Sequence, residues 1–264
     1  MLLEEIHSGF KNLPRRMLLY GTHKIGKSTF ANGARNTIFI PTEEGLNNID
    51  CNSFNLCTSY NDCLEAISEL YTKKHQYETV AIDTLDSLEP LIFKDVCNEK
   101  GISNIEDILY SKGYVFALSR WSEILEGLEG LRNDRNMTII LIAHTRVEKF
   151  KNPETESYDR YVPRIHKWAS ELICDWVDEI FFATYQVNTR KLDEGFNQKR
   201  ALPIADGNPI IKTKEMPAFI AGNRLNLPDQ LNLNWQEYEK HLNREPKIKT
   251  TELDTRKLHG SPKL

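Results

Sequence analysis

Long apolar runs, paired cysteines and an excess of positive charge are all missing from this 264-residue sequence. No run approaches the length that crosses a bilayer as a helix, so no membrane role through a spanning helix is expected. The five cysteines, Cys51, Cys57, Cys63, Cys97 and Cys174, are odd in number and include no C-x-x-C pair. Neither a disulfide framework nor a common zinc spacing is expected, and the cysteines read as reduced thiols of a cytosolic protein. The formal net charge is -4, so a nucleic-acid site would have to be a local patch and not a global balance. The first residues, Met1-Leu2-Leu3-Glu4-Glu5, turn acidic at once and carry no signal-peptide pattern, so a cytoplasmic location is expected. A hydrophobic share of 40% with 27% charged residues is ordinary for a soluble chain, and this length can bury one substantial core.

Against these absences stands Gly21-Thr22-His23-Lys24-Ile25-Gly26-Lys27-Ser28, which fits G-x-x-x-x-G-K-[ST]. It follows Met17-Leu18-Leu19-Tyr20, a short apolar run that reads as a buried strand, and precedes Ser28 to Ala34, which can open a helix. Glycines let backbone N–H groups turn inward around phosphate oxygens, and the helix start adds partial positive charge. Gly21 through Thr29 are therefore the candidate phosphate cradle for ATP. Lys27 would reach the β- and γ-phosphates, and Ser28 would hold Mg²⁺. The plain alternative is a glycine turn that binds nothing.

Further along, Thr37-Ile38-Phe39-Ile40, Thr79 to Asp83 and Met137 to Ala143 read as apolar strands. Residues 60–74, 88–99, 114–132 and 164–177 read as helices, the third from the stripe Val115, Leu118, Trp121, Ile124, Leu125, Leu128 and Leu131. Continuous apolar strands separated by helices imply a largely parallel sheet covered on both faces. Residues 145–163, polar and broken by Pro153 and Pro163, read as a long loop. Ile180 to Val187 reads as a strand with Arg200 to Ala205 paired to it, Asp206-Gly207-Asn208-Pro209 as a turn, Ala218-Phe219-Ile220 as one more strand, and Trp235 to Leu242 as a short helix. Residues 1–243 then form one domain. Residues 244–264, with six basic and three acidic residues and no periodicity, read as a flexible basic tail.

Asp83, at a strand end, is the candidate second Mg²⁺ carboxylate. The next residue is Thr84, where many P-loop ATPases place a general base, so a base must come from elsewhere. Glu43 and Glu44 follow a strand that ends on the P-loop edge of a parallel sheet, and either can orient water. His144, at the end of the 137–143 strand, faces the γ-phosphate region. A surface loop pair and a strand-exit histidine are the bland readings of the same residues.

The ordered set Gly21–Ser28, Phe39–Glu43, Ala81–Thr84, Ile142–Arg146 and Gly222-Asn223-Arg224 resembles the RecA-like ATPases, and among them the compact phage proteins of the Sak type that anneal single-stranded DNA. The resemblance spans most of residues 17–228. It implies Glu43 as the activator of water, His144 as the γ-phosphate sensor and Arg224 as a cation acting on ATP bound by a neighbouring subunit. Gly222 stands where the family has a first lysine. The resemblance also implies a DNA-binding loop after the sensor strand. Here Arg146, Lys149, Lys151, Arg160 and Arg164 interleave with Tyr158 and Tyr161, cations for phosphates and rings for bases. Glu148, Glu154, Glu156 and Asp159 leave that region only mildly basic.

The expected fold is three-layer α/β, RecA-like, largely parallel, with antiparallel additions near 180–221. The expected function is a DNA-dependent ATPase on single-stranded DNA in recombination or annealing. It would be a homo-oligomer with ATP near subunit interfaces, and a single-strand binding protein or replication protein is an expected partner. An ATP-gated interaction module such as a helicase loader, and a small-molecule P-loop kinase, are the rival readings.

Overall fold

Each apolar strand feeds two cores, because alternate side chains leave opposite faces of a sheet. In the computed structural model, residues 13–154, 156–194 and 198–242 are described. In chain order they form β1 (Arg16–Gly21), α1 (Lys27–Asn32), β2 (Thr37–Pro41), β3 (Asn52–Ser53), α2 (Tyr60–Thr72), β4 (Thr79–Asp83), α3 (Leu85–Lys100) and α4 (Lys112–Asp134). There follow β5 (Thr138–Phe150), β6 (Tyr158–Pro163), α5 (Lys167–Trp176), β7 (Glu179–Glu194), β8 (Gln198–Lys212), β9 (Gly222–Asn223), β10 (Gln230–Asn232) and α6 (Trp235–Glu239).

The sheet order is β10-β8-β7-β1-β5-β4-β2-β3. From β7 to β3 neighbouring strands are parallel; β8, β10, β6 and β9 pair antiparallel. This is the three-layer RecA-like α/β fold. On one face Leu18, Tyr20, Ile38, Ile40, Val80, Ile82, Ile139 and Leu141 meet α2, α3, α4 and α5. On the other, Met17, Leu19, Phe39, Ala81, Ile140 and Ile142 meet α1, Leu227, Leu231 and α6. Each Val, Leu, Ile, Phe or Met side chain among them contributes about 1.5–3 kcal/mol by leaving water. The α4 stripe runs Gly113, Ala117, Trp121, Ile124, Leu125, Leu128 and Leu131, while Val115, two positions from both Gly113 and Ala117, falls on the opposite face and is exposed.

Parallel register brings the functional ends to one edge. Gly21 lies beside His144, Ile142 beside Asp83, and Asp83 beside Pro41. β5 separates the P-loop strand from the Asp83 strand.

Three sequence expectations give way. Residues 145–163 are not a loop: β5 runs on past the sheet edge to Phe150 and pairs with β6 as a hairpin. Its alternation was hidden because both faces carry polar residues. One face has Arg146, Glu148 and Phe150 against Val162, Arg160 and Tyr158, and the other has Val147 and Lys149 against Tyr161 and Asp159. Asp206-Gly207-Asn208-Pro209 does not reverse the chain. β8 continues through it, and the turn chemistry appears as a register shift opposite Tyr185–Val187, with Gly207 at φ 73. Ala218-Phe219-Ile220 makes only isolated bridges, to Met216 and Tyr161, because Tyr20 Oη takes the Ile220 backbone, donating to its carbonyl at 2.7 Å and accepting its N–H at 3.0 Å. The basic segment 244–264 lies outside the described residues.

Candidate nucleotide-binding site

The loop leaves β1 at Gly21, where a Cβ would lie 2.1 Å from the Ala183 carbonyl oxygen of β7. Only glycine permits that approach. Gly26, at φ 108, makes the turn into α1. Lys27 is buried, and its Nζ donates to the carbonyls of Thr22 at 2.8 Å and Gly21 at 3.3 Å. Burial lowers its pKa to about 8, against the attraction of Asp83, Asp86 and Glu43. Thr22 Oγ1 is buried without a hydrogen-bond partner. Ser28 Oγ donates to Asp83 Oδ2 at 2.5 Å. Burial raises the Asp83 pKa and Ser28 opposes that rise.

These features fit a polyphosphate and its metal ion. Lys27, satisfied only by loop carbonyls, and the orphaned Thr22 hydroxyl can donate to phosphate oxygens, and the left-handed Gly26 lets backbone N–H groups turn inward. Lys27 and the backbone of 22–29 would hold phosphate, and Ser28 with Asp83 would hold Mg²⁺.

A second cluster adjoins it. Thr42 Oγ1 donates to the Thr84 carbonyl at 2.6 Å and accepts the Thr84 N–H at 2.8 Å, which ties the exits of β2 and β4 together. This tie sets Glu43, half-buried, where its Oε2 accepts from Ser87 Oγ at 2.8 Å; Glu44 is exposed. Ligand atoms of Glu43, Asp86 and His144 lie within 4.8 Å of one another. Asp86, in the first turn of α3, accepts the His144 N–H at 2.8 Å, contacts His144 Nδ1 at 3.0 Å and accepts from Arg164 at 2.5 and 3.2 Å. Although burial opposes it, those bonds hold the Asp86 carboxyl well below the usual range. His144 also stacks on His23 of the loop.

The structure thus gathers Lys27, Ser28, Glu43, Asp83 and His144 at one sheet edge. Arg224 follows β9, which pairs with the start of β7, and its guanidinium lies 3.3 Å from Asp178. That is the opposite edge of the sheet, so Arg224 cannot reach the P-loop of its own chain. Of the nucleic-acid candidates, Arg146 and Arg160 are ion-paired with Glu148 at 3.0 and 3.4 Å, and Arg160 lies over the Phe150 ring. Lys149 and Lys151 are exposed. Tyr158 packs on Phe150, and Tyr161, although 40% exposed, stacks on Phe182. Arg164 is not on the hairpin face at all but beside the P-loop. Asp86, Ser87, Thr42 and the loop-facing position of Arg164 escape sequence reading. The one signal for Asp86 is an acidic residue in a helix first turn, which reads equally well as a dipole partner.

Fold and site together define a P-loop ATPase of RecA-like architecture, a class that uses ATP with Mg²⁺. A family profile described as an AAA domain matches residues 13–225, so the chain belongs to that family. A curated relative, the SPbeta prophage-derived uncharacterized protein YorG of Bacillus subtilis (strain 168), is 25% identical over 136 residues. The match takes in 50% of this chain and 41% of that protein, so it spans about two fifths of the relative's length. Among solved structures, the crystal structure of the RadB recombinase is similar at 12% identity and a TM-score of 0.45, covering 83% of this chain and 86% of that one. Among the described residues no helix is long and apolar enough to cross a membrane.

Proposed function

We propose that this protein binds single-stranded DNA and hydrolyses ATP on it, in a recombination or annealing step of the kind carried out by Sak-type phage proteins. The observation that carries the reading is the continuity of β5. One strand holds His144 at the nucleotide edge and runs straight into the β5–β6 hairpin, which lifts Lys149 and Lys151 into solvent. The prophage origin of the YorG relative agrees with a phage setting. Glu43 activates water, His144 senses the terminal phosphate, Lys27 binds phosphate charge, and Arg224 serves a neighbour's site in a homo-oligomer. Single-strand binding or replication proteins are the partners this role implies, and the cytoplasm is its place.

A second reading, an ATP-gated interaction module, draws on the pairing of Arg146 and Arg160 with Glu148, which engages both arginines of one hairpin face. Salt-dependent binding and turnover separate the two. Single-stranded DNA should stimulate ATP hydrolysis, and its affinity should fall steeply with salt as counterions are released. Replacing Lys149 and Lys151 together should flatten the salt slope by up to about two. Turnover indifferent to DNA, with no salt-sensitive binding, favours the interaction module.

A further inference from the structure

We infer that Arg164 is a phosphate-binding cation of its own chain's nucleotide site, contacting the terminal phosphate of ATP in addition to Lys27. The proposal rests on the ATPase reading above and assigns to nucleotide a residue that sequence placed with DNA. Three contacts fix the side chain. Its backbone N–H donates to the His144 carbonyl at 2.8 Å, so the residue is pinned at the end of the sensor strand. Its Nε and Nη2 bind Asp86 Oδ2, which occupies one edge of the guanidinium. Its Nη1 is left facing the loop, 3.4 Å from His23 Nε2. Arginine is always a donor, so His23 accepts there as a neutral ring.

The charge inventory explains why a second cation is needed. At this edge Glu43, Asp83 and Asp86 face Lys27 alone unless Arg164 is counted. Mg²⁺ held by Ser28 and Asp83 would offset part of the charge of a triphosphate, and a second protein cation offsets more of it beside three carboxylates. His23 belongs to the same loop as Lys27, so the contact of Nη1 with its ring places Arg164 at the phosphate loop. Arg224, on the far edge, cannot supply this charge within one chain. Asp86 acts as the positioning residue: it holds one edge of the fork so that Nη1 is aimed before nucleotide arrives.

The test is calorimetric titration of the full chain with Mg²⁺ and either ADP or the β,γ-imido analogue of ATP. Arg164→Ala should bind the analogue roughly ten- to hundredfold more weakly, the worth of a charged hydrogen bond, and bind ADP as wild type does. Retained ADP binding also shows that the variant is folded, and Arg164→Lys should recover part of the loss. A Lys27→Ala protein mixed with Arg164→Ala should not restore tight analogue sites, because each site needs both residues from one chain. Equal loss for both nucleotides, no loss for either, or restoration on mixing overturns the assignment. A wild-type protein that binds neither nucleotide sinks the ATPase reading itself, a result distinct from all of these.

Discussion

The imidazoles of His23 and His144 stack with ring centroids 3.8 Å apart and planes 20° from parallel. One belongs to the P-loop and the other to the point where β5 leaves the sheet for the hairpin, so any displacement of the loop is felt at the hairpin root. Burial, then His144, Arg164 and Lys27, lower the His23 pKa, which keeps that ring neutral and the stack intact near neutral pH. His144→Ala should therefore uncouple the hairpin while the P-loop still binds nucleotide. Amide hydrogen exchange of residues 145–163, with and without the ATP analogue, reads this directly. A nucleotide-dependent change in protection that survives the substitution argues that the stack transmits nothing.

Lys27 predicts a pH dependence. Its pKa in the nucleotide-free protein is lowered to about 8, below the ordinary 10.5, and bound phosphate favours the charged form. Below pH 8 the lysine is already charged and affinity is flat. Above about 8, binding takes up a proton and affinity falls by up to about tenfold per pH unit. The nucleotide-free fold moves the other way, since removing the buried charge relieves it as pH rises from about 8 to 10.5. Lys27→Ala should bind ATP poorly at every pH and show no such slope. A slope that persists in that variant belongs to another group.

Glu43→Gln should keep ATP and lose turnover by about 10²–10⁴, because an amide of the same size is a poor base. Ser87 still holds the position, so the geometry is retained. Glu44→Gln, on an exposed side chain, should change turnover little. A reversed order in steady-state hydrolysis assays moves the base to Glu44.

Asp83→Asn should raise the Mg²⁺ concentration needed for turnover more than it weakens nucleotide binding. The mutant amide can still accept from Ser28 Oγ but brings no charge to the metal. Unchanged metal dependence in a Mg²⁺ titration shows that another carboxylate, with Asp86 and Glu43 nearest, holds the ion.

Much of this was legible because local chemistry decided it. The P-loop needs glycine where the chain touches Ala183, and the strand runs are apolar because both faces of the sheet are covered. The contributions of Asp86 and Arg164 were not legible, because their meaning comes from register: only when β5 lies between β1 and β4 do residues 58, 78 and 141 positions apart in sequence meet. The hairpin was missed for a different reason. Its cross-strand pairs mix charge with aromatics, so no apolar alternation marks it. Residues 206–209 carry turn chemistry that the long β7–β8 pairing absorbs as a bulge.

Arg224 tests whether sites are shared between subunits. It sits on the sheet edge away from its own P-loop, 65% exposed, and its ion pair with Asp178 is partly redundant because Arg16 and Arg132 also meet that carboxylate. Asp178 is buried but keeps Arg16 and Arg132 when the largely exposed Arg224 is removed, so Arg224→Ala should melt close to wild type. Turnover should nevertheless fall, since a cation near the transferring phosphoryl group stabilises developing charge. Mixing this variant with Lys27→Ala, which has a dead P-loop and an intact arginine, should restore part of the activity at interfaces that pair the two intact halves. The mixture is informative once sedimentation shows that both variants self-associate. An Arg224→Ala protein that assembles normally and hydrolyses ATP at the wild-type rate leaves Arg224 a surface partner of Asp178. The catalytic cations would then all come from one chain, with Arg164 beside Lys27.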